Sequence, residues 1–100
     1  MNNHKLKKFK VQKYFVDITN GAPLTYFIAN KEGITAFQML GFQKTIPFDI
    51  KYWTGLEAQE KLENAQRLGG CPEITLDELA WDMENWMLFR EHFEEGDNNV

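Results

Sequence analysis

Residues 75 to 96, TLDELAWDMENWMLFREHFEEG, constrain the fold most, because they read as one long helix that needs a surface to pack on. Thr75-Leu76-Asp77-Glu78 has the spacing of a capping box, with Ile74 and Leu79 placed as its hydrophobic staple. The helix is expected to run to about Glu95 and to stop at Gly96. At roughly 100° per residue, Leu76, Leu79, Ala80, Met83, Trp86, Met87 and Phe93 share one broad face. A face that wide predicts a helix lying across a sheet.

The opposite side is unusual. Asp77, Trp81, Glu84, Leu88, Glu91 and Glu95 follow one another at intervals of 4, 3, 4, 3 and 4, which makes a second stripe. Carboxylates alternating with large apolar groups are unsuited to a dry core, because a buried unpaired carboxylate is costly. Two readings follow. Either a second helix and the lysine-rich N-terminus fold over Trp81 and Leu88, with lysine stems covering the apolar groups, or the stripe is a surface for a partner. A homodimer seam is a third, in which the acids repel unless offset.

The sheet is sought upstream. Residues 9 to 18, FKVQKYFVDI, are rich in aromatic and β-branched residues, a strand signal. Their apolar positions change phase midway, so either a bulge intervenes or both faces of the second half are covered. Asn20-Gly21 supplies a turn, and residues 23 to 29, PLTYFIA, read as the returning strand of a hairpin. Asn30 reads as the cap of a short helix carrying Ile34, Phe37 and Leu40, with Gly41 as its stop. Residues 46 to 52, IPFDIKY, alternate as a half-buried third strand, with Pro47 marking an edge or a start. Thr54-Gly55-Leu56-Glu57 has capping-box spacing and opens a helix over residues 56 to 68 that ends at Gly69-Gly70. Its apolar stripe, Ala58, Leu62 and Ala65, is narrow.

The expected fold is therefore a single α+β domain over residues 1 to 100. A three-stranded, mainly antiparallel sheet, in the order β-β-α-β-α-α, packs against a long C-terminal helix, and residues 1 to 7 and 97 to 100 are read as flexible ends.

Charge is divided along the chain. Residues 1 to 13 hold five lysines and no acid, whereas residues 71 to 100 hold nine acids against Arg90 alone, within a net charge of −4. One cysteine, Cys71, excludes a disulfide scaffold, and no apolar run of signal-peptide or spanning length occurs, so a cytoplasmic setting is expected.

Signatures of catalysis are sparse. His4 and His92 stand in no HExxH or Cys/His ligand spacing, although Glu91, His92 and Glu95 lie within reach of one cation. Cys71 follows Gly69-Gly70 with no base in view, and no phosphate-binding glycine loop follows it. The run of Lys5, Lys7, Lys8, Lys10 and Lys13 is too short, and lacks the arginines, to predict direct nucleic-acid binding. No enzyme activity, cofactor or metal is expected.

No stretch resembles a family closely enough for residues to be carried over. The profile, small and acidic without catalytic residues, is that of inhibitors from phages and mobile elements (anti-CRISPR-like proteins among them) and of immunity proteins against nuclease toxins. The expectation is a monomeric or weakly dimeric antagonist. It occupies a basic surface of a nucleic-acid-handling protein through Asp77, Trp81, Glu84, Leu88, Glu91 and Glu95. The alternative is a small assembly subunit that self-associates through the same helix.

Overall fold

A computed structural model describes residues 5–19, 21, 23–41 and 45–98, without the side chains of Phe89 and of residues 92–98. Five strands and two helices follow in the order β1 (Lys13–Asp17), β2 (Thr25–Asn30), β3 (Gly33–Leu40), β4 (Asp49–Thr54), α1 (Gly55–Arg67), β5 (Glu73–Ile74) and α2 (Leu76–Asn98). All strands join one antiparallel sheet of spatial order β4-β3-β2-β1-β5. The α+β class is as the sequence predicts, but the sheet has five strands rather than three. Its helical cover is also not one C-terminal helix, since α1 and α2 lie on opposite faces.

The hairpin forms, with β1 and β2 paired from Lys13↔Ala29 to Asp17↔Thr25. Gly21 takes a φ of +70°, while Asn20 lies outside the described residues. Both faces of β1 are covered, which explains its change of phase: Phe15 joins the cluster beneath α1 and Val16 the cluster beneath α2.

Residues 33 to 40 are the main correction. They form β3, between β2 and β4, instead of a helix. Asn30 does not cap a helix: its Oδ1 accepts a hydrogen bond from the Glu32 amide at 2.9 Å, closing the tight β2–β3 turn. Gly33, at φ +125°, takes the backbone twist after that turn. Gly41 likewise ends a strand, at φ +84°, where an added Cβ would lie 2.3 Å from the Pro47 carbonyl oxygen.

The two cores differ in texture. Phe15, Phe27, Ala29, Ile34 and Ala36 meet Ala58 and Leu62 of α1, so small residues let that helix sit close. Val16, Tyr26, Phe37 and Met39 meet Leu79 of α2, joined by Met83 and Trp86. The expected narrow stripe of α1 is present, with Ala58, Leu62 and Ala65 all buried. Thr54 is its N-cap residue but makes no side-chain capping bond, so that capping box does not close.

Candidate functional site

The orientation of α2 is set at its first turn. The Thr75 hydroxyl oxygen accepts from the Glu78 amide at 3.0 Å, and the Thr75 amide donates to Glu78 Oε1 at 3.1 Å, which is the predicted capping box. From there the helix docks through a stripe narrower than its apolar content implies. Leu79 is buried, Met83 and Trp86 are half-buried, and the Trp86 ring meets Phe48 edge-on at 5.5 Å.

Polar contacts add to the docking. The Tyr26 hydroxyl donates to Asp82 Oδ2 at 3.2 Å. Burial, and then the Asp82 carboxylate, hold that phenol well above its ordinary ionisation range. Arg90 donates through Nε to the Gly41 carbonyl and through Nη2 to that of Ile46, both at 2.7 Å. Arg90, the one Lys or Arg of the last thirty residues, thus bonds to the β3–β4 connection.

Several residues assigned to the core face lie elsewhere. Leu76, Ala80 and Met87 are exposed, because the sheet meets only the centre of that face. Phe93 falls outside the described side chains. Opposite the docking stripe, Asp77, Glu84 and Glu91 are exposed, with Trp81 at 65 % and Leu88 at 63 % exposure between them. These five are therefore brought together on one solvent face, and the Glu95 side chain lies outside the description.

Among the described residues, nothing of the expected covering layer reaches that face. The Lys5–Phe9 stretch runs on the α1 side: Lys7 pairs with Glu63 at 3.0 Å, the Lys7 amide donates to Gln59 Oε1 at 2.7 Å, and Phe9 packs on the α1 core. Sequence patterning missed the anchoring roles of Asp82 and Arg90. No local signal marks them, since each depends on a partner more than forty positions away.

The outer face of α2 offers charge and apolar area. Cys71 is half-buried, and burial together with the Asp17 carboxylate pushes its thiol up to about 11, so it is protonated at neutral pH. Among the described residues, no three His, Cys, Asp or Glu side chains gather as metal ligands, and no helix is long and apolar enough to cross a membrane. Compared with protein-family models, curated proteins and solved structures, the chain matches none of them significantly.

Proposed function

We propose that this chain is a non-catalytic binding protein whose α2 outer face occupies a basic surface of a partner protein. The supporting observation is the exposure of Trp81 and Leu88 in line with Asp77, Glu84 and Glu91. Seven residues separate the two apolar groups, or about 10.5 Å along the helix, enough to seat two anchors in one interface. Tryptophan is among the residue types that dominate interfaces once desolvated, and Leu88 adds apolar area beside it. Lys7 lies across the sheet from this face, paired with Glu63 of α1. Proteins that handle nucleic acids carry basic channels, and a carboxylate-lined helix competes for such a channel; antagonism of the phage or mobile-element kind is the biological form of this reading.

Affinity capture from the native host, followed by binding kinetics on the captured partner, tests it. Reversing Glu84 and Glu91 to lysine should slow association and flatten its salt dependence, because rim charges act mainly on encounter. Trp81→Ala should instead speed dissociation at unchanged association. A partner bound equally by wild type and both variants would move the contact surface elsewhere. Sedimentation separates the alternative: a monomer at all concentrations excludes an assembly subunit built through this helix.

A further inference from the structure

β4 stands at one edge of the sheet, and among the described residues no strand pairs with its outer side. The other edge, β5, is two residues long, too short to template another strand, whereas β4 has six. In an antiparallel ladder, successive residues turn their N–H and C=O groups alternately toward a neighbour and away from it. The Pro47 carbonyl lies against Gly41 on the β3 side, so Asp49, Lys51 and Trp53 share that direction. Phe48, Ile50 and Tyr52 therefore present their backbone groups to the open edge. The Ile50 amide agrees, as it donates to Asp49 Oδ1 at 2.8 Å in an exposed bond.

The side chains of this edge leave two needs unmet. Asp49 and Lys51 make no ion pair among the described residues, and the Lys51 ammonium sits 5.1 Å from the Trp53 ring centroid instead. On the α2 face, Phe48 reaches Trp86 and Tyr52 reaches Phe37, yet they remain 40 % and 61 % exposed. Charged side chains usually guard an edge against self-pairing. Here the two charges are opposite in sign and two residues apart. A second copy running antiparallel, with Ile50 opposite Ile50, sets Asp49 of each copy against Lys51 of the other, and Phe48 against Tyr52. Directly opposite residues share a face, so this alignment puts ion pairs on the α1 side and aromatic pairs on the α2 side. Displaced registers lose the match. Centring on Lys51 opposes two lysines, and centring on Tyr52 sets Lys51 against Trp53 with no acid across from it.

We propose that β4 pairs antiparallel with β4 of a second copy, joining two five-stranded sheets into one continuous sheet. The two-fold axis passes at Ile50. Its amide exchanges the Asp49 carboxylate for the Ile50 carbonyl of the other copy, while Asp49 turns to Lys51 across the seam. The edge shares no residue with the α2 outer face, so this seam stands or falls independently of the function proposed above.

The test is sedimentation equilibrium of the full chain over a concentration series reaching about 1 mM, with charge-reversal variants at the seam. The expected result is a reversible equilibrium between monomer and dimer. Asp49→Lys and Lys51→Asp should each weaken the dimer about tenfold, because both seam pairs become like-charged. An equimolar mixture of the two variants should recover the wild-type affinity, since every pair between unlike copies is again opposite in sign. Both positions are exposed, so each variant keeps the monomer fold. A chain that stays monomeric throughout the series would overturn the seam. A dimer indifferent to both reversals, or weakened variants that the mixture fails to rescue, would overturn this pairing as well.

Discussion

Tyr26 shows how one side chain links a core to a helix. Its ring is buried, stacks on Phe37 at 5.6 Å, and carries its hydroxyl out to Asp82 of α2. Replacing it with phenylalanine keeps the ring and strips a half-buried carboxylate of its donor, which should cost about 1.5–3 kcal/mol. The same contact fixes a pH dependence. The folded phenol ionises above the ordinary value near 10, so the unfolded chain loses its proton first as pH rises. Stability from this group is full below pH 10 and declines above it. Urea midpoints should therefore fall between about pH 9.5 and 11 more steeply for wild type than for Tyr26→Phe; parallel curves would show that burial and Asp82 do not raise the phenol. Gly41 is equally local. An alanine there must adopt a positive φ and clear the Pro47 carbonyl, and the turn that presents an acceptor to Arg90 would shift.

At the scale of elements, the two tryptophans of α2 divide its roles. Trp86→Ala should destabilise by about 2–3 kcal/mol, less than the 3–5 kcal/mol of a fully buried aromatic because the ring is only half-buried. Trp81→Ala should change stability by less than about 0.5 kcal/mol, as surface substitutions do. Comparable losses from the two in urea unfolding would mean that the outer stripe is a second core face. This division was partly legible in the sequence. Helical periodicity separated the stripe of Trp81 and Leu88 from that of Leu79, Met83 and Trp86, and the Thr75 capping box placed the start of the helix. Periodicity could not give the width of the contact, so Leu76, Ala80 and Met87 went to the wrong side. β3 was illegible for a related reason. Ile34 and Ala36 face α1 while Phe37 and Met39 face α2, and a strand covered on both faces loses the alternation that identifies it. Ile34, Phe37 and Leu40 then mimic a helical repeat, and Asn30 and Gly41 mimic its caps, although both serve turns.

Across the whole molecule, the layers are unequally held. α1 is fastened from both sides, by the sheet below and by the N-terminal stretch, whose Lys5 carbonyl accepts from Gln59 Nε2 at 2.9 Å. α2 packs on the sheet through the Leu79, Met83 and Trp86 stripe and is tied in its second half by Arg90. The radius of gyration is 15.5 Å, against roughly 13 Å for a compact chain of this length. Local opening should follow the same ranking, since segments with little buried apolar area open below the global free energy. Hydrogen exchange is expected to be slowest in β2 and β3, covered on both faces, and faster along α2, with Arg90→Ala accelerating its second half and leaving β2 unchanged. A partner docked on Asp77, Trp81, Glu84 and Leu88 would bind the closed helix and not the opened one, so it must slow exchange in α2 by linkage. Protection that rises in α1 or at the β4 edge instead, with α2 unaltered, would assign the contact to the other side of the sheet. The measurement thus locates the interface without any substitution that could disturb the fold.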